Sequence, residues 1–132
     1  MNVLQGRLIS VVSTEHTSLL SVESCFQTPF NVLLAEKSLH NMGDTLKLVF
    51  KESEVILSKS HVQTTANIQD AEIVQIKKGS ILTKITLSYQ ETQIVAIVPT
   101  MSFDLLEIGV GERVFWIIQP SEISLMGENY GS

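Results

Sequence analysis

Five side chains in this sequence of 132 residues could do chemistry by donating hydrogen bonds: Ser38, Lys51, Thr64, Ser102 and Gln119. Hydroxyls and a side-chain amide each donate at short range, and a lysine ammonium adds three donors and a unit charge. The complement of such a set is a group whose oxygens only accept, such as a tetrahedral oxyanion, and charge-assisted bonds to it are the stronger kind. Bond-making chemistry is not indicated. No Gly-x-Ser-x-Gly turn and no Cys/His pair supplies a nucleophile, so the sequence reads as a binder and not as an enzyme. His16, His40 and His61 lie too far apart for metal-ligand spacing. The "GVG" at 109–111 lacks the Lys-Ser/Thr of a phosphate loop and reads as a turn. Each donor also has a plainer reading. Lys51 ends a strand and could be solvated, Ser38 and Ser102 could cap helical turns, Thr64 could be an exposed linker residue, and Gln119 beside Pro120 could belong to a turn.

The positions of these donors follow from a repeat. "GDTLKLVFKESEVIL" (43–57) and "GERVFWIIQPSEISL" (111–125) share one cadence. Both open on Gly, pass through an apolar run and reach Ser-Glu, and Lys51 in the first copy matches Gln119 in the second. Upstream, "FNVLLAEKS" (30–38) resembles "IVAIVPTMS" (94–102), and "NVLQGRLISV" (2–11) resembles "NIQDAEIVQI" (67–76), with Gly6 and Ala71 as the small fifth residue. Within each copy apolar residues alternate, Leu46, Leu48 and Phe50 in one and Val114, Trp116 and Ile118 in the other. That is the period-two signature of strands.

The pattern predicts strands at 3–12, 17–24, 29–35, 44–51 and 54–58, then at 68–77, 81–89, 93–99, 112–118 and 122–126. Segments 36–42 and 102–108 lack alternation and predict short helical turns, with Ser102 as an N-cap. Five short strands with a helical turn before the fourth describe a small OB-like barrel. The expected fold class is therefore all-β: two tandem OB-like five-stranded barrels, residues 1–62 and 63–132, joined by the polar stretch 59–66. Trp116 is expected in the core. Val49, Phe115 and Ile117 are apolar on the outward side of their strands, which predicts burial of both faces or a covering subunit.

Composition narrows the partners. With 44% hydrophobic and 17% charged residues the chain can bury a core. A net charge of -5 argues against a general nucleic-acid or acidic-membrane surface. Aromatic residues make up 6% of the chain, too few for the stacking platforms of an OB-type RNA binder. Cys25, the one cysteine, has no partner for a disulfide and is expected to be a buried thiol in a reduced compartment. The N-terminus lacks the pattern of a signal peptide, and no apolar run approaches the roughly 20 residues of a membrane span. These features predict a cytoplasmic protein.

At these repeated motifs the chain resembles tandem Mop (di-Mop) proteins, molybdenum-pterin-binding proteins of the TOBE class of OB domains. Their repeat runs Ser-Ala-Arg-Asn, Leu-x-Gly, a β run, Ile-Thr-x-x-Ser before a helical turn, then Gly-x-x-Val, an apolar run, Lys-Ala/Ser and Val-x-Leu. The resemblance implies molybdate or tungstate as ligand, bound between units of a homo-oligomer, a trimer or a dimer. Carried over, its donors fall on Ser38 and Lys51 in the first copy, and on Thr64, Asn67, Ser102 and Gln119 in the second. Ala66 stands where the family has Arg, and Gln119 where it has Lys. The implied function is storage, homeostasis or delivery of the oxyanion. The alternative is a TOBE-type regulatory or assembly module that acts in trans with a molybdate importer or regulator.

Overall fold

The structure is a computed structural model and describes residues 1–127. All ten strands fall within two residues of their expected ends: β1 Asn2–Ser13, β2 Ser18–Glu23, β3 Phe30–Leu34, β4 Thr45–Phe50, β5 Ile56–Ser58, β6 Asn67–Lys78, β7 Leu82–Tyr89, β8 Thr92–Pro99, β9 Arg113–Ile118 and β10 Ser124–Gly127. They form two five-stranded antiparallel sheets, an all-β fold of the OB-like kind. No helix among the described residues is long and apolar enough to cross a membrane.

The repeat is visible in backbone detail. β1 bulges between Leu8 and Ser10, and β6 bulges at the matching place between Ile73 and Gln75. Beside each bulge a glycine with positive φ, Gly43 at 93° and Gly111 at 91°, donates its N–H to the bulge carbonyl, that of Leu8 or Ile73, at 2.8 Å. A side chain at either glycine would strain that left-handed conformation. The small fifth residue has a separate cause. A Cβ on Gly6 would lie 2.5 Å from the Val22 side chain and 2.8 Å from the Glu23 carbonyl oxygen. Ala71, its counterpart, is fully buried.

The connectivity departs from two barrels laid end to end. The strand order of the first sheet is β10-β4-β1-β2-β3, and that of the second is β5-β9-β6-β7-β8. Each copy therefore gives its last strand to the other. β10 pairs with β4, Leu125 opposite Leu48, and β5 pairs with β9, Leu57 opposite Trp116. The repeat boundary near residue 62 separates the copies in sequence, whereas the sheets are interlocked.

One core spans both halves. Trp116 is fully buried. Phe50 of the first copy stacks on it at 5.7 Å, and Phe26 meets it edge-on at 5.2 Å. Phe26 also stacks on Tyr89 at 5.2 Å. Aromatic pairs at such spacings add about 0.5–1.5 kcal/mol beyond area burial. This shared cluster holds the halves together along with the exchanged strands.

Three local expectations need correction. Segment 36–42 forms no helix. Its backbone is held by side chains instead: the Ser38 N–H donates to Ser18 Oγ at 2.7 Å, and the His40 N–H to Ser38 Oγ at 3.1 Å. In the second copy the helix α1, Thr100–Leu106, begins earlier than expected, with Pro99 at the cap, so Ser102 lies inside it and caps nothing. Cys25 is exposed in the loop between β2 and β3, its sulfur 3.2 Å from Thr92 Oγ1. The apolar side chain that this loop sends into the core is Phe26.

The apolar outward face is partly covered from within the chain. Ile117 is buried, paired with Ile56 of the exchanged β5 and with Ile68. Phe115 meets the His61 ring in a T-shaped contact with ring centres 5.4 Å apart, and Val49 is half-buried.

Candidate binding site at the exchange seams

Neither sheet closes on itself. The first ends at β3 and β10, the second at β8 and β5. Between each pair of edges runs a seam, walled on one side by a third strand and on the other by a short 3-10 turn from the opposite copy. Lys51 precedes the turn Glu52–Glu54, and Gln119 precedes the turn Pro120–Glu122. Their backbones match, at φ -77°, ψ 145° for Lys51 and φ -66°, ψ 140° for Gln119. Each carbonyl accepts the N–H three residues on, Glu54 at 3.1 Å and Glu122 at 3.0 Å. The Lys/Gln difference is thus a side-chain change at one conserved geometry.

The seam between β8 and β5 is a cleft of about 280 Å³ lined by Ser53, Val55, Leu57, Ile97, Ser102 and Phe103, among others. It joins the turn that Lys51 opens, from the first copy, to Ser102 of α1, from the second. The hydroxyls of Ser53 and Ser102 and the Lys51 ammonium make no hydrogen bond or ion pair among the described residues. The seam between β3 and β10 is a cleft of about 380 Å³ lined by Leu33, Glu36, His40, Ser121, Ile123 and Ser124, among others. It joins the Gln119 turn to the loop that Ser38 organises. This second seam has only neutral side-chain donors on its turn, and it carries the Glu36 carboxylate. Complementary pieces from the two copies therefore meet twice, once at the turn that Lys51 opens and once with the Glu36 carboxylate in the cleft lining.

Thr64 and Asn67 lie elsewhere, at the start of β6. Thr64 is exposed, and its hydroxyl oxygen accepts the Ala66 N–H at 3.0 Å. Asn67 is buried with its amide fully used: Oδ1 accepts the Asn31 N–H at 2.8 Å, and Nδ2 donates to the Asn31 carbonyl at 2.9 Å. Asn2 treats Val95 alike, with both bonds at 2.8 Å. Next to Asn67, Gln69 Nε2 donates to the Thr28 carbonyl at 2.7 Å, and Oε1 accepts the Thr28 N–H at 3.3 Å. These amides fasten one copy to the edge strand or adjoining loop of the other. The cleft beside them, about 330 Å³, also meets His61, Asp70 and Phe115. Asp70 there is bridged by Arg113.

Several polar residues that matter were not singled out in the sequence. Ser18 is fully buried, and its Oγ bonds Ser13 Oγ at 2.8 Å, the Glu36 carbonyl at 2.8 Å and the Ser38 N–H at 2.7 Å. Thr83, its repeat counterpart, is equally buried and bonds Thr100 Oγ1 at 2.7 Å. A buried hydroxyl must be paired, but Ser and Thr on alternating strands look the same in sequence whether they face in or out. The paired start Asn2/Asn67 was the one available signal.

The carboxylate with an altered proton affinity is Glu52, in the Lys51 turn. The N-terminal ammonium of Met1 bonds it at 2.9 Å and holds its carboxyl below the usual value, and a backbone N–H bond and the charge of Lys84 act in the same direction. This pair engages Glu52, next in sequence to Lys51, whose ammonium pairs with no carboxylate among the described residues.

No protein-family model matches the chain, and no curated protein matches it in sequence. Among solved structures the chain is similar to the cytoplasmic molybdate-binding protein ModG in a form with molybdate bound, at 19% identity, with 94% of each chain covered and a TM-score of 0.88. The chain has the fold of that molybdate-binding protein over nearly its whole length.

Proposed function

We propose that this chain is a cytoplasmic oxyanion-binding protein of the tandem Mop type, which takes molybdate or tungstate for storage, homeostasis or delivery and works as a homo-oligomer, a trimer or a dimer. The observation that carries this reading is the meeting at one seam of Ser53, in the turn that Lys51 opens, with Ser102 of the other copy, the two hydroxyls and the Lys51 ammonium making no bond among the described residues. The fold likeness to a protein described as molybdate-binding supports it. Lys51 supplies the charge, and the Ser53 and Ser102 hydroxyls supply neutral donors. Gln119, which opens the matching turn, and Ser38, in the loop beside the other seam, form a weaker, neutral set, and Thr64 offers an exposed hydroxyl ahead of β6. Asn67 serves by holding β3 in place, its amide being committed to Asn31. A second subunit closing over the seam between β8 and β5 would add donors and exclude water.

Calorimetric titration of molybdate tests this. Lys51→Ala is expected to weaken binding by roughly 1.5–3 kcal/mol, the scale of a hydrogen bond to a charged group, and Gln119→Ala by about 0.5–1.5 kcal/mol. Native mass spectra with and without molybdate count subunits and ligands together. If the folded wild type gives no binding heat, the oxyanion reading fails. The regulatory or assembly module acting in trans with an importer or regulator then takes its place.

A further inference from the structure

Hydrogen-bond parity exposes an open place on each edge strand. In an antiparallel pair, opposed residues alternate between those that exchange backbone bonds and those whose N–H and C=O point away from the partner. Asn31, opposite Ser21 on β2, sends its N–H off the sheet edge to Asn67. Leu33, two residues on and opposite Leu19, has the same parity. Its N–H and C=O therefore also point off the edge, and no partner meets them among the described residues. The Asn67 amide acts as a one-residue strand, and the ladder stops one step short of Leu33.

What lies beside Leu33 defines a partner. The cleft between β3 and β10 runs along it. On the outer face Val12, Leu19 and Leu33 lie directly opposite one another across three strands. They are 66%, 44% and 42% exposed, an apolar row that ends at the open edge. Glu36, in the same cleft, is exposed, and no cation pairs with it among the described residues. With Glu36 in its lining and the whole chain acidic at -5, this seam is the weaker of the two for a small anion and favours a positively charged segment. We propose that the seam between β3 and β10 is a docking slot for one extended segment of a partner protein, apolar where it passes Leu33 and basic where it passes Glu36.

A second copy is a poor occupant. Two-fold pairing of β3 with itself about Leu33 would bring Ala35 of the partner subunit opposite Asn31, where the Asn67 side chain already sits. A segment that begins at Leu33 and runs toward Glu36 meets no such block. Backbone bonds supply affinity in this mode of recognition, and alternate side chains supply choice. The seam between β8 and β5 differs: Ile97 has the open parity there, but its row continues into Lys84 and Lys77. The slot does not depend on oxyanion binding, and the test is run without molybdate so that the two can fail separately.

The probe is a fluorescein-labelled hexapeptide, Thr-Val-Ile-Val-Lys-Lys, titrated by anisotropy, with amide hydrogen exchange read on the unlabelled complex. Saturating peptide is expected to protect the Leu33 amide and to leave Ile97 unchanged. Leu33→Pro removes the edge N–H and should weaken binding about tenfold or more, whereas Ile97→Pro, its match in the other seam, should not. Glu36→Gln should weaken the lysine peptide several-fold and leave a threonine-ended version unaffected. If a proline variant does not fold, exchange at Leu33 in the wild type decides alone. An unprotected Leu33 amide at saturating peptide overturns the proposal. So does protection of Leu33 in peptide-free protein that rises with protein concentration, which would give the edge to a second copy.

Discussion

Asn67 grips Asn31 by both backbone groups, 36 residues away in the chain, with the Asn31 N–H on Oδ1 at 2.8 Å and Nδ2 on the Asn31 carbonyl at 2.9 Å. Asn2 grips Val95 across 93 residues with both bonds at 2.8 Å. The residue that begins the first strand of each copy is thus a pin driven into the edge of the other. Each pin also satisfies backbone groups that an unprotected sheet edge would leave open to aggregation.

Substitution should show the pins as structural. Asn67→Ala leaves a partly buried N–H and C=O unpaired, at about 1–3 kcal/mol for such a group. Asn67→Asp should also destabilise, since a carboxylate accepts the Asn31 N–H but faces its carbonyl with no donor. Urea unfolding measures both. A stability equal to wild type for Asn67→Ala would mean that water replaces the amide without loss.

The exchanged strands make the halves interdependent. A chain cut in the polar stretch near residue 62 leaves the first half without β10 and the second without β5. Neither fragment is expected to show a cooperative unfolding transition alone, whereas the two mixed should. Circular dichroism of each fragment and of the mixture checks this. A first half that folds by itself would show that β10 is dispensable.

Gly6 and Gly109 should answer differently to the same change. A Cβ at Gly6 meets Val22 and the Glu23 carbonyl, and the latter belongs to a paired strand. Gly6→Ala should therefore cost roughly 1–3 kcal/mol, the range for overpacking. Nothing lies within 4 Å of a Cβ at Gly109, so Gly109→Ala should stay within about 0.5 kcal/mol of wild type. Thermal unfolding of the pair measures the difference.

Acid should loosen the Glu52 pair. The Met1 ammonium keeps the folded Glu52 carboxyl below its ordinary value. The unfolded state then binds the proton more readily, so the pair stabilises the fold above the ordinary carboxylate value. That contribution is lost as pH falls through the lower, folded value. Glu52→Gln should make stability fall less steeply in acid, read from urea midpoints at neutral and acidic pH. Parallel pH curves for the two proteins would mean that the pair contributes nothing.

The sequence by itself determined the strands, the repeat and the glycine turns. Alternating burial and positive-φ turns are local demands, so Leu46, Leu48, Phe50 and Gly43 announce themselves, as do Val114, Trp116, Ile118 and Gly111. The equivalence of Lys51 and Gln119 was legible for the same reason, because both sit a fixed step after a strand. Only the tertiary structure decided which edge each last strand joined. Backbone hydrogen bonds do not read side chains, and Ile56–Ser58 and Ser124–Gly127 are apolar enough to pair with either sheet. It also decided the fate of the polar residues. Asn67, Ser18 and Thr83 became internal ties because the fold brought distant backbone or hydroxyl partners to them, while Ser53 and Ser102 kept their donors free. Cys25 faces outward while Phe26, one residue on, packs against Trp116 in a core that both copies share.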